Sequence, residues 1–198
     1  MQSPTPALQR WRTKIDLAHE RPATKKRCII VCSKAMPTDA KTKLIRILQN
    51  AYSGEVAAAY AYRGHWKSLK DGAEKEQIKK IEAEEWDHRR RVGEWLEKLG
   101  AAPRPVREKV FWTIGRTLGL SCYISGWFMP MYFAGRLESQ NSVEYEDAAA
   151  FAKELEMPDC VEDLLDMAGV EIEHEVFFRE TVAGHRLLPI MKRVFGWS

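Results

Sequence analysis

Two segments of this chain carry the same arrangement: a Glu-x-x-His pair in the middle of an otherwise apolar helical seam. In the first, Ile78, Ile81, Glu85, His88, Val92, Trp95 and Leu99 recur at heptad spacing. In the second, the seam reads Leu164, Met167, Glu171, His174, Phe178 and Thr181. Positions three, four and seven apart share one face of a helix, so each seam turns toward a core and takes a carboxylate and an imidazole with it. Burying ionisable groups among apolar side chains is expensive unless something pairs with them. A divalent metal would satisfy all of them together. The pattern therefore predicts helices bundled around a polar centre.

Two half-sites need further ligands, and two other helical stretches offer them. Glu55 shares a face with Leu48, Ala51, Ala58, Ala59 and Tyr62, and Glu138 with Met131, Ala134, Tyr145, Ala148 and Ala152. One Glu from each of two helices, with Glu-x-x-His from each of two others, is the ligand set of ferritin-like di-iron bundles. The spacings agree. Glu55 to Glu85 is 30 residues and Glu138 to Glu171 is 33, each a return trip along two antiparallel helices. Glu85 to Glu138 is 53, and the surplus suits a long crossover that leaves the second and third bundle helices parallel. The expected fold is an all-α, ferritin-like four-helix bundle with that crossover. Its helices should span about Thr38–Leu69, Ala73–Leu99, Met131–Glu156 and Asp159–Gly184. Asp39 would cap the first, Pro130 would kink or restart the chain, and a short basic-apolar tail would follow the last. Six nitrogen and oxygen ligands suit two iron ions per chain, with manganese as the alternative; zinc favours fewer ligands and often thiolate. The competing explanation is a metal-free network of buried Glu–His pairs. A lone match means little: Asp16-x-x-His19 has similar spacing, off any apolar seam.

The 198 residues suit one helical domain at 38–198 behind a basic extension at 1–37. Residues 1–38 hold eight Lys/Arg against Asp16 and Glu20, which fits a surface tail, a membrane-surface anchor or a targeting peptide. The short apolar run Cys28–Val31 has no evident place in the helical pattern. The net charge of +3 gives no reason to expect nucleic acid. Cys28, Cys32, Cys122 and Cys160 form no zinc or redox motif, which points to reduced thiols in a cytoplasmic or matrix-type reducing compartment. No apolar run reaches spanning length. A homo-oligomer is compatible with the sequence and not required by it.

From about Ala51 to His174 the residues resemble the demethoxyubiquinone hydroxylases, membrane-associated di-iron enzymes of quinone biosynthesis. Ser53-Gly54-Glu55 with Tyr62 and Gly64 resembles that family's first-helix signature. Phe111, Gly115, Gly119 and Gly126 fall at its crossover spacing, and Glu138 with Tyr145 at its third-helix motif. The resemblance favours Glu138 over Glu144 as the ligand. It implies that Glu85 and Glu171 bridge two metals while Glu55 with His88, and Glu138 with His174, complete the ends. It further implies hydroxylation of a quinone-type ring with O2 and a reductant. The sequence departs from the family where Glu144 replaces a His and His65 a Gln, and its C-terminal tail is short; these departures bear on substrate more than on metal binding. Tyr62 and Tyr145 lie on the ligand stripes, either as donors or radical relays or as core tyrosines with satisfied hydroxyls.

Residues 110–133 hold Phe111, Trp112, Tyr123, Trp127, Phe128, Tyr132 and Phe133, which suits either a membrane-interface element admitting a lipid-soluble quinone or ordinary crossover packing. Arg89, Arg90 and Arg91 read as a solvated helix face. Three rival functions remain: a rubrerythrin-like peroxidase, an iron-storage protein and a tRNA-modifying di-iron hydroxylase. The first lacks a cysteine-rich iron site, the second is ill-suited to an aromatic crossover, and the third needs a basic groove.

Overall fold

The computed structural model describes residues 37–197, so the basic extension, Cys28, Cys32, Cys28–Val31 and Asp16-x-x-His19 lie outside it. Among the described residues the chain forms six helices: α1 Pro37–Ser68, α2 Ala73–Lys98, α3 Pro105–Ser121, α4 Phe128–Glu154, α5 Pro158–Val182 and α6 Leu188–Phe195. Helices α1, α2, α4 and α5 make the expected ferritin-like bundle. Cross-links give its directions. Arg63 meets Glu82 and Tyr52 meets Arg89, while Tyr62 meets Glu138 and Glu55 meets Tyr145, so α1 runs antiparallel to both α2 and α4. His88 and Arg91 meet Glu171 and Asp163, so α2 is antiparallel to α5. Helices α2 and α4 are therefore parallel, joined by the crossover that contains α3.

Both Glu-x-x-His seams face the core. Every named member of the α2 seam is buried, as are Leu164, Met167, Glu171, His174 and Phe178. At the end of α5 the seam shifts by one residue. Val182 is buried, while the half-buried Thr181 hydroxyl bonds back to the Phe177 carbonyl. The apolar core forms two clusters along the bundle. One is built around Leu44, Leu48, Val92, Leu96, Ala148 and Leu164, the other around Ile78, Ile81, Met131, Tyr132 and Phe178. The glutamates and histidines of the seams fall between them.

Several local expectations are corrected. Helix α1 already includes Pro37, so Asp39 lies in its first turn, where it pairs with Lys43 at 2.7 Å and suits the helix dipole. Pro130 sits in the first turn of α4, where its missing N–H costs no intrahelical bond, so the helix begins at Phe128. The arginines are not one solvated face. Arg90 is exposed, but Arg91 reaches Asp163 and Asp166 across the bundle. Arg89 bonds Glu108, which also accepts from the Ser53 hydroxyl at 2.7 Å.

That Arg89–Glu108–Ser53 link pins the start of α3 to the bundle. Glycines hold the rest of it close. A Cβ on Gly115 would stand 2.4 Å from the Ala57 carbonyl oxygen, and one on Gly64 2.2 Å from the Gly119 Cα. At the chain's end, Trp197 inserts against Gly135 and Phe178, and its indole N–H donates to Glu175 at 2.9 Å. Trp197 and Met191 thus anchor the tail to the core, while most of α6 stays exposed.

Candidate metal centre

The structure brings together all six sequence-predicted ligands. Glu55, Glu85, His88 and Glu171 form one set whose candidate ligand atoms lie within 4.8 Å of one another, and Glu85, Glu138, Glu171 and His174 form a second. Glu85 and Glu171 belong to both sets. All six residues are at most 3% exposed. Each helix supplies its share by register: Glu85 and His88, like Glu171 and His174, are one turn apart on a core-facing stripe.

Hydrogen bonds within the cluster leave many of its polar atoms unused. Glu55 Oε2, both Glu85 oxygens, Glu171 Oε2 and His174 Nδ1 are buried without a hydrogen-bond partner. Orphaned buried atoms of this kind are rare and costly, and here they converge. His174 Nε2 lies 3.0 Å from Glu84 Oε2, which leaves Nδ1 3.5 Å from both Glu85 and Glu171. A ring whose Nε2 donates to a carboxylate presents Nδ1 as a lone pair, the form a metal takes. His88 Nδ1 lies 3.1 Å from Glu171 Oε1. Oxygen and imidazole donors without thiolate, converging and unsatisfied, fit a pair of divalent ions such as iron or manganese.

The electrostatics agree. Burial pushes Glu55 well above the usual carboxylate range, and the neighbouring Glu85 adds to it. Burial, with Glu171 and Glu138, takes Glu85 to about 8. Glu138 is raised chiefly by burial, then by Glu171. Burial would raise Glu171 too, but the neighbouring Glu138, His174 and His88 outweigh it and hold that carboxyl low. His174 is raised although burial opposes it, because Glu171, Glu84 and Glu85 favour its cation. Without metal, the cluster shares protons to limit its negative charge; divalent cations can replace them.

Tyr62 and Tyr145 make specific contacts. The Tyr62 hydroxyl donates to Glu138 Oε1 and the Tyr145 hydroxyl to Glu55 Oε1. Burial raises both phenols well above their usual range, with Glu138 and Glu55 respectively the next largest causes. They are core tyrosines with satisfied hydroxyls that also orient two of the six carboxylate and imidazole residues.

A cavity of about 600 Å³ lies between α1, α3 and α4, against the outer side of the cluster. Ala57, Ala58, Ala61, Phe111, Ile114, Leu118, Met129, Phe133 and Leu137 give it a largely apolar lining. Glu55 and Glu138 form part of its wall. Glu144 and His65, the two helix positions that depart from the family pattern, lie in this cavity and in neither ligand set. Sequence reasoning missed Glu84, since its link to His174 spans 90 residues and leaves no periodic signal. It also missed the Ser53–Glu108–Arg89 link.

The aromatic stretch divides by position. Phe128 and Tyr132 are core residues, Phe111 and Phe133 line the cavity, and Trp112, Tyr123 and Trp127 are exposed.

The family model described as "Ubiquinone biosynthesis protein COQ7" matches residues 42–176. Similar curated proteins include the 3-demethoxyubiquinol 3-hydroxylases of Francisella tularensis subsp. tularensis (strain WY96-3418) and subsp. holarctica (strain LVS). Each is 39% identical over 62 residues. That stretch is 31% of this chain and 29% of each relative, so the alignment spans under a third of their length. No solved structure matches the chain.

Proposed function

The chain belongs to the family of the ubiquinone biosynthesis protein COQ7; from that membership and the cavity beside the buried carboxylates, we propose that it hydroxylates a quinone-type aromatic ring, using O2 and a reductant, at a centre of two iron ions. The observation that carries this reading is that Glu55 and Glu138, one from each ligand set, also wall a largely apolar cavity. Its 600 Å³ is an ordinary size for a small-molecule site. From Asn50 to His65 it follows α1 for about 22 Å, long enough for a ring and the start of an apolar tail.

Glu85 and Glu171 would be shared between the ions, with Glu55 and His88 completing one position and Glu138 and His174 the other. Iron held there would supply the O2-dependent redox chemistry, with manganese as the alternative. Tyr62 and Tyr145 hold Glu138 and Glu55 in place, and Glu84, beside His174 Nε2, would favour the tautomer that leaves Nδ1 to an ion. The apolar lining excludes water from the ring, and α3, pinned through Glu108, closes that side of the cavity.

The same reading places the protein peripherally on a membrane, where a long-tailed quinone resides. No helix among the described residues is long and apolar enough to cross one. Along the crossover, however, Val106, Leu120 and Ile124 are 77, 68 and 88% exposed. Residues 38–198 would form the catalytic domain and the basic residues of 1–37 would favour anionic lipid, at about 1 kcal/mol per Lys or Arg near the surface.

The test is metal analysis with oxygen uptake. Protein from iron-supplemented cells should carry close to two metals per chain and consume O2 when given a short-tailed quinol. Glu85→Ala and Glu171→Ala should each lower the metal content sharply. Unchanged stoichiometry in both would remove them from the ligand set. A fully metallated protein that ignores quinols would refute the hydroxylase reading.

A further inference from the structure

His65 is 2% exposed and lines the cavity, and its Nε2 has no hydrogen-bond partner. Several other polar side chains of that wall are committed. The hydroxyls of Tyr62 and Tyr145 donate to Glu138 and Glu55, and Asn141 Nδ2 donates to Glu138 Oε2 at 3.3 Å. The Ser121 hydroxyl and Cys122 thiol both donate to the Leu118 carbonyl. Arg107 Nε also lacks a partner, but that guanidinium lies toward the other end, over Phe111, and is only half-buried. A buried polar atom facing a cavity without a partner implies that the occupant provides one.

Position limits what the occupant can be. His65 follows Tyr62 by three residues on the same face of α1, a rise of about 4.5 Å. Tyr62 reaches Glu138, so His65 lies about one helical turn along the cavity wall from the residue that meets Glu138. Burial takes the His65 imidazole down to about 4, so at neutral pH it is uncharged. A neutral imidazole presents Nε2 as donor or acceptor according to its tautomer. It can therefore meet a ring carbonyl or the ring hydroxyl formed when that carbonyl is reduced.

We propose that His65 Nε2 makes the hydrogen bond by which this cavity selects an oxygen substituent on its ligand's ring, making His65 a specificity-determining residue. The proposal rests on the quinone reading of the cavity. A Gln, which the family pattern places at this position, offers a donor and an acceptor at once, so Gln should largely replace His65 whereas Leu should not.

The test is calorimetric titration of the iron-loaded full chain in mild detergent with two probes, decyl-1,4-benzoquinone and decylbenzene. The wild type should bind the quinone about tenfold more tightly, the worth of one neutral hydrogen bond. His65→Leu should lose about that factor for the quinone while binding decylbenzene unchanged, and His65→Gln should stay within about threefold of wild type. His65→Leu should melt no lower than wild type, because it removes an unpartnered buried atom from an apolar wall. If His65→Leu binds the quinone as tightly as wild type, the proposal falls and the hydroxylase reading stands. If it melts lower and loses both probes alike, His65 is structural and the proposal falls. If the wild type binds neither probe, the quinone reading fails and this proposal with it.

Discussion

Gly115→Ala tests whether the cavity depends on the close approach of α3 to α1. An added Cβ would stand 2.4 Å from the Ala57 carbonyl oxygen, 2.7 Å from its Cα and 2.9 Å from its carbonyl carbon. These are backbone atoms inside a long helix, so no side chain can swing aside. Reaching ordinary contact near 3.4 Å requires α3 to move outward by about 1 Å, which loosens Phe111, Ile114 and Leu118 from the cavity wall. Overpacking of this kind costs about 1–3 kcal/mol, against about 1 kcal/mol gained from replacing a helical Gly by Ala. The net is a loss of up to about 2 kcal/mol, or a melting temperature lower by up to roughly 8 °C for a chain of this size. Gly54→Ala is the control: nothing lies within 4 Å of its Cβ, so the propensity gain should raise the melting temperature by about 2–4 °C. Thermal melts read the stability, and hydrogen exchange across 105–121 reads the loosening. A Gly115→Ala protein as stable as Gly54→Ala, with α3 amides as protected as in wild type, would refute the argument.

Glu138→Gln should abolish quinol-dependent O2 uptake, while Glu144→Gln, altered in the cavity wall only, should keep its metal and change activity modestly; the reverse pattern would mean the wrong carboxylate was assigned. His65 titrates near 6.5 when unfolded and about 4 when folded. Its contribution to stability is therefore present above about pH 6.5 and lost as pH falls toward 4. Replacing it with Leu should gain about 2–3 kcal/mol relative to wild type between pH 7.5 and 4.5. Urea unfolding at the two pH values checks this, and a pH-independent difference would contradict it. Sedimentation with anionic liposomes should be weakened by Leu120→Glu with Ile124→Glu, both highly exposed. Phe128 is unsuitable for such a test because it is 5% exposed in the core. Failure to sediment with any lipid composition would argue against a membrane-embedded substrate.

The bundle was legible in the sequence because a core-facing helical stripe is a periodic signal. Glu85 and His88 interrupt one such stripe and Glu171 and His174 another, and the 30-, 53- and 33-residue spacings fix the order and direction of the helices. Glu55, Tyr62, Glu138 and Tyr145 were legible for the same reason, since position on a stripe decides burial. The family resemblance added the preference for Glu138 over Glu144. What the tertiary structure decided lies where contacts join distant segments without periodicity. Glu84 holds His174 from across the bundle, Glu108 ties α3 to Ser53 and Arg89, and Trp197 fills the space that Gly135 leaves. The aromatic crossover was ambiguous because its composition is the same whether a ring faces lipid, cavity or core. Helix α3 packing on α1 turned Phe111 toward the cavity, left Trp112 exposed, and set His65 in the cavity wall with its Nε2 unpartnered. Periodicity records which face of a helix is buried; only packing determines what that face is buried against.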